Sequence, residues 1–440
     1  MTAVADVVAI AKRGVVPSRA EATRVRALAS SLVSKTETAA ARHPQTRGVL
    51  LGGSFAKGTW LPRRVDLDIF VRFDPSTPEQ EFERVGLEIG EEATRGHPVG
   101  KKFAQHPYTE ATVDGVRVNI VPCFDVKRGE WKSAADRSPF HVELIKALPD
   151  ETKAQVRLLK AFMEAVGVYG AEIRRQGFSG YVAEVLILKL GGFRQVAEWF
   201  ASYLLPHEGK AFSLTDPVDD RRDLGTAVSA ESLGRMVLAC REFLRRPATA
   251  YFSELPRGAR SSLDGMVIAV VFSHAPLSED TLWGELRKTT KHVVRHLEEE
   301  GFRVARSIAA SDNLEHSAII LLPELGELPA LAQRIGPTVD RQKDVGAFLK
   351  ANSKSSRLVW VDGEARVRIL IPREHTDLVR LLTEVVRGRA GQIGASKEVE
   401  AGMKESARVL RGRALSQAAA KWGWLRDGVR EITSDVIGAR

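Results

Sequence analysis

Between residues 65 and 71, Val65, Leu67, Ile69 and Val71 interleave with Asp66, Asp68 and Phe70. That period of two predicts a strand with one buried face and one working face. Just upstream, residues 49–51 predict a short strand, Gly52 and Gly53 a sharp turn, and Ser54 the N-cap of a helix. A helical period governs residues 18–41, where Ser18 and Glu21 have capping-box spacing and Val25, Leu28 and Leu32 form the apolar stripe. Residues 77–93 are helical by the same pattern. Residues 109–113 and 116–121 then predict a hairpin turned by Asp114-Gly115, a dipeptide suited to the left-handed positions of a type I′ turn.

Further along, Asp150 opens a helix whose stripe runs through Val156, Leu158, Leu159 and Phe162 and stops at Gly167. Residues 133–141 read as a loop, and residues 174–188 lead into an apolar, buried helix. A polar segment from Pro206 leads to the charged run 216–223, and residues 245–261, with two prolines, read as a linker. Beyond it the pattern restarts with a strand at 266–272, a helix at about 280–299, and strands near 303–308 and 318–322. A second hairpin at 358–361 and 366–370 surrounds Asp362-Gly363, and the tail from Arg387 carries Arg and Lys at helical intervals. The expected architecture is a multidomain α+β chain divided at 1–150, 151–255 and 256–440.

With 440 residues the chain has room for two to four domains. A formal net charge of +9 and a pI near 9.5 suit a polyanionic partner and favour nucleic acid over acidic small molecules alone. Cys123 and Cys240 stand far apart in apolar contexts, which predicts reduced thiols and a cytoplasmic protein. No leader and no membrane span are expected, because every apolar run is too short.

The chemistry concentrates at Asp66 and Asp68. Positions i and i+2 of a strand share a face, so the two carboxylates converge and need a cation. Hard oxygen ligands without neighbouring His or Cys favour Mg²⁺. The preceding Gly-Gly-Ser turn can offer free N–H groups to an anion. Metal and anion together describe a nucleoside triphosphate.

The stretches GSFAKGTW and VDLDIFV resemble the nucleotidyltransferase motif of the polymerase-β superfamily, in the form found in class I, archaeal-type CCA-adding enzymes (tRNA nucleotidyltransferases). The resemblance implies a nucleotidyltransferase head, a helical neck, a small α+β RNA-binding body and a helical tail. It implies transfer of CMP and AMP from CTP and ATP to the 3′ end of tRNA with two Mg²⁺ ions and no nucleic-acid template. Asp66 and Asp68 fall at the metal ligands. Ser54, Lys57, Ser138, His141, Lys160 and Tyr169 fall at triphosphate contacts, and Arg222 at the base edge. In the tail, Arg408, Arg411, Arg413 and Lys421 would grip RNA phosphates. A homodimer is left open.

One position departs from the pattern. Where the family has a third aspartate on the strand beside Asp-x-Asp, this chain has Asn119. Asp114, in the turn, and Asp125, beyond Pro122, are the substitutes considered, and neither has the right place. The expectation is an enzyme slowed at Asn119. Two rivals stay open: a poly(A) polymerase relative, and an RNA-binding protein on an inactive scaffold.

Overall fold

The computed structural model describes residues 2–434 except 63, 104, 206–211, 254–262, 264, 389–394 and 396. The segment from Pro206 to Lys210 and most of the expected linker after residue 253 therefore lie outside the described residues. The chain forms two compact units, residues 1–257 and 258–434.

The first unit opens with α1 (Thr2–Gly14) and α2 (Arg19–Ala40). The Ser18 side chain accepts the Glu21 N–H at the start of α2, as its capping spacing predicts. Then follow β1 (Thr46–Gly52), α3 (Gly53–Lys57), β2 (Asp66–Phe73), α4 (Glu79–Ala93), β3 (Val99–Phe103), β4 (Pro107–Val113) and β5 (Val116–Phe124). The five strands form one sheet in the order β1-β2-β5-β4-β3, with β2 and β5 parallel and the other pairs antiparallel. Leu67, Ile69, Val118 and Ile120 are wholly buried beneath the sheet with Val25 and Leu32 of α2 and Phe82, Val85 and Ile89 of α4. Each such side chain contributes about 1.5–3 kcal/mol of hydrophobic stabilisation. One face of the sheet is thereby spent on the core, and the other is left for polar groups.

The hairpin forms as its turn requires, with Asp114 at φ 50° and Gly115 at φ 75°. After β5, α5 (Ser138–Lys146) and α6 (Asp150–Val166) lead into α7 (Gly180–Leu190), α8 (Phe193–Ala201) and α9 (Ala230–Arg245). These helices share a second core rich in phenylalanine, including Phe162, Phe178, Phe193, Phe200 and Phe243. Ala11 of α1 and Val15, just beyond its end, join this helical core and not the sheet core.

The second unit contains β6 (Ile268–Ser273), α10 (Glu279–Glu299), β7 (Val304–Ser311), β8 (His316–Pro323), β9 (Leu331–Thr338), α11 (Gln342–Asn352), β10 (Leu358–Val361), β11 (Arg366–Pro372), α12 (Leu378–Gly388), α13 (Lys397–Ser406), β12 (Arg408–Arg411), α14 (Gly412–Lys421) and α15 (Gly423–Thr433). Its sheets run β12-β6-β8-β7 and β10-β11-β9. The helical expectation for the tail fails at Arg408 and Arg411, which lie on β12, paired with β6. The sheet overrides the local helical signal because the apolar strand β6 needs a partner on that side. Only Arg413 and Lys421 are helical, on α14. No helix among the described residues is long and apolar enough to cross a membrane.

Candidate active site

The polar face of the first sheet carries a continuous row. Gly52 pairs with Asp68, Asp68 with Asn119, Asn119 with Glu110, and Glu110 with Gly100. The row below sets Asp66 beside Arg117. Asn119 Nδ2 donates to Asp68 Oδ1 at 2.9 Å, while Asn119 Oδ1 is buried with no partner among the described residues. Arg117 Nε donates to Asp66 Oδ1 at 3.0 Å, and a terminal guanidinium nitrogen grips Asp66 Oδ2, completing a two-pronged pair.

Burial pushes the Asp68 carboxyl above its ordinary range, and the charge of Asp66 adds to the rise. The Asn119 hydrogen bond, Arg117 and Lys57 only partly offset it. Beside this pair the backbone comes very close. A Cβ on Gly53, at φ 63°, would stand 1.8 Å from Asp68 Oδ2, so only glycine fits.

Ser54 is not the N-cap. Gly52 still pairs with Asp68 as the last residue of β1 and is itself the cap, so Ser54 becomes the second residue of α3, half-buried. Ser138 and His141 lie on a helix and not in a loop. Ser133 and Asp136 close a capping box over a 3₁₀ turn, and Pro139 sits at the start of α5.

Two buried clusters flank the carboxylates. In the first, Lys57 Nζ donates to Glu184 Oε2 at 2.9 Å and Lys160 Nζ to Glu184 Oε1 at 2.8 Å, with Lys160 also bonding Thr59 Oγ1 at 3.0 Å. The side chains of Lys160 and Glu184 are each 1% exposed. Burial alone raises a carboxyl, but Lys160 and Lys57 together bring Glu184 down to about 2. Lys57 and Lys160 are thus brought together, with both ammoniums turned onto one carboxylate. Tyr169 joins them: a Cβ on Gly180 would meet the Tyr169 hydroxyl at 2.8 Å and Lys160 Nζ at 3.4 Å.

The second cluster centres on Asp216. It accepts from Tyr181 Oη at 2.8 Å, from the Val218 N–H at 2.9 Å and from Arg222 at 3.3 Å, and it lies 3.2 Å from His141 Nε2. These donors hold Asp216 well below the usual carboxylate range despite its burial. His141 is lowered, chiefly by burial, with the Asp216 contact pulling the other way. Tyr181 joins the clusters: its ring stacks on His141 at 3.8 Å, and Lys57 Nζ lies 4.9 Å from its centroid.

Sequence reasoning missed Glu184, Asp216, Tyr181, Arg117 and Glu110. A glutamate inside the apolar run GYVAEVLIL was a visible signal of a buried pair, and the turn at Asp114-Gly115 already pairs Glu110 with Asn119 by counting outward. Arg408, Arg411, Arg413 and Lys421 are exposed and belong to the second unit.

A glycine turn packed on an Asp-x-Asp strand, in a sheet of this topology, defines a nucleotidyltransferase, and the nucleotidyltransferase domain model matches residues 33–143. Residues 154–253 match the second domain of tRNA nucleotidyltransferases, and residues 264–412 match the CCA-adding enzyme C-terminal domain. The CCA-adding enzyme of Halorubrum lacusprofundi is 33% identical over 93% of this chain and 94% of its own length. That of Methanothermobacter thermautotrophicus is 34% identical over 84% and 86%, and that of Pyrobaculum neutrophilum 37% over 65% and 71%. The chain belongs to the family of CCA-adding enzymes.

Proposed function

We propose that this chain adds cytidine and adenosine nucleotides to the 3′ end of tRNA, from CTP and ATP, without a nucleic-acid template. The observation that carries the reading is the register row that sets Asp68 between the glycine turn and Asn119, within a chain of this family. The donor set fits magnesium. Asp66 and Asp68 supply hard anionic oxygens, the raised Asp68 carboxyl is eased by a neighbouring cation, and the orphaned Asn119 Oδ1 is an oxygen of the kind such ions accept. When bound, two magnesium ions supply charge neutralisation at the phosphates and lower the pKa of the attacking hydroxyl.

The remaining work belongs to the chain. The RNA's 3′ oxygen forms a bond to the α-phosphorus and pyrophosphate leaves in line, so positioning and charge stabilisation dominate. Ser54 and Ser138 contact the phosphates. Two lysines sharing the single carboxylate of Glu184 leave one buried positive charge in surplus, and that surplus favours the triphosphate near Lys57, Lys160 and Tyr169. His141, whose pKa burial lowers while Asp216 pulls it the other way, stands on α5 with Ser138 to meet the phosphates. Arg222 faces the base edge with its fork of donors, oriented by Asp216. Asn119 cannot accept the hydroxyl proton as a carboxylate does, so turnover is slow. In the second unit Arg408, Arg411, Arg413 and Lys421 hold RNA phosphates, so binding weakens with salt. Arg408 and Arg411 are three apart on β12 and point to opposite faces, so they grip different segments of the backbone. Two free, buried cysteines accord with the cytoplasm.

The deciding experiment is incorporation of labelled CTP and ATP into tRNA lacking its last three nucleotides. The expected product ends after C, C and A. A long A tail would favour a poly(A) polymerase. Tight tRNA binding with no incorporation would favour the inactive, RNA-binding reading to which Asn119 points.

A further inference from the structure

The missing third carboxylate has a neighbour one strand further out. Glu110 on β4 pairs directly with Asn119 on β5, so its side chain leaves the same face of the sheet as Asn119 and Asp68. On the far side its partner is Gly100, whose lack of a side chain leaves that flank open. Glu110 is half-buried, and Lys102 Nζ pairs with it only at 3.9 Å, beyond hydrogen-bond distance. Arg117 holds its charge first through its bond to Asp66, and the fields of Glu110 and Asp68 add to that. In the register Asn119 stands between Asp68 and Glu110, and its Oδ1 is buried with no hydrogen-bond partner among the described residues.

We propose that Glu110 is a further metal-site residue of this chain, supplying the divalent cation beside the RNA 3′ hydroxyl with the negative charge that Asn119 lacks, while Asn119 offers its amide oxygen. The inference rests on the nucleotidyl-transfer reading above. An amide oxygen is a sound magnesium ligand, as the catalytic-loop asparagine of protein kinases illustrates. Neighbouring strands are about 4.8 Å apart. Magnesium keeps several of its waters, so a carboxylate one strand beyond the amide can act through a coordinated water.

The test is Mn²⁺ binding to the full-length chain, followed by electron paramagnetic resonance, for the parent, Glu110→Gln, Asn119→Asp and the double variant. Glu110→Gln preserves shape, and loss of an outer partner of this kind should weaken Mn²⁺ roughly 10- to 100-fold. In the Asn119→Asp background the same change should cost much less, because the regular ligand is restored. An unchanged Mn²⁺ affinity in Glu110→Gln overturns the inference, and so does an equal loss in both backgrounds, which would indicate a diffuse field. Asp114→Asn, on the exposed turn, should leave Mn²⁺ binding unchanged. Extension of tRNA by the parent separates the two claims: if the parent extends RNA and Glu110→Gln binds Mn²⁺ normally, only this inference falls; if the parent neither extends RNA nor binds Mn²⁺, both fall.

Discussion

Replacing Glu184 by Gln removes the single negative charge from a cluster that buries two lysines, and its cost can be worked in two ways. Burial alone would raise the Glu184 carboxyl, yet Lys160 and Lys57 hold it down at about 2, so the pair contributes stability on the order of a few kcal/mol. Independently, breaking a buried ion pair by deleting one partner typically costs about 3–5 kcal/mol, because the other charge is left unmatched. The agreement sets the expectation. Glu184→Gln should lower the hydrogen-exchange protection of α7 and α6 by two to three decades, since about 1.4 kcal/mol is tenfold. The pH dependence has a fixed sign. A depressed carboxylate stabilises fully above its ordinary pKa of 4.5, and the parent loses this contribution as pH falls toward about 2; the variant lacks that loss. A change in protection of less than tenfold at pH 7 would refute the reasoning. Replacing Lys57, Glu184 and Lys160 together with Met, Leu and Met should cost far less than Glu184→Gln alone, because no charge is stranded.

Asn119→Asp should raise the single-turnover rate of CMP addition by up to about 10²–10⁴, the usual worth of a positioned proton acceptor, while nucleotide Kd stays within a few-fold. The same change should destabilise the metal-free protein by about 1–3 kcal/mol, because it replaces the 2.9 Å donation to Asp68 with a like charge; this is read by urea unfolding. Asp68→Asn should have the opposite effect on stability. It removes a carboxyl whose ionisation burial disfavours, so the metal-free protein should melt a few degrees higher at pH 7 while Mn²⁺ binding is lost. Arg222→Lys should lose roughly tenfold in discrimination against UTP and GTP, measured by competition, with little change in total triphosphate binding, because Lys cannot reproduce the fork.

Legibility in the sequence followed how local each determinant is. The Asp-x-Asp strand and the hairpin were readable because strand parity and an Asp-Gly turn leave little freedom, and together they place Asn119 beside Asp68. The Ser54 cap was misread by two residues, because whether Gly52 belongs to strand or turn depends on its pairing with Asp68. Strand β9 escaped notice, since Gly336 and Pro337 break its pattern and only an edge position tolerates that proline. Arg408–Arg411 looked helical because the need of β6 for a partner is written some 140 residues earlier. Lys57 and Lys160 drew attention by resemblance, but their common partner Glu184 lies 127 and 24 residues away in the chain, beyond any local pattern.

The pairing of β12 with β6 also bears on how the second unit comes into being. Strand β6, IAVVFS, is almost entirely buried and lies between β8 and β12, so its outer edge stays open until residues 408–411 have been synthesised. During translation an apolar edge of that kind is a template for other chains. Removing the basic tail from Arg408 onward would therefore do more than weaken RNA binding. It would strip a strand from the sheet and expose the β6 edge together with the surface that Leu415, Ala419, Leu425 and Ile432 cover, so such a truncation should accumulate as aggregate.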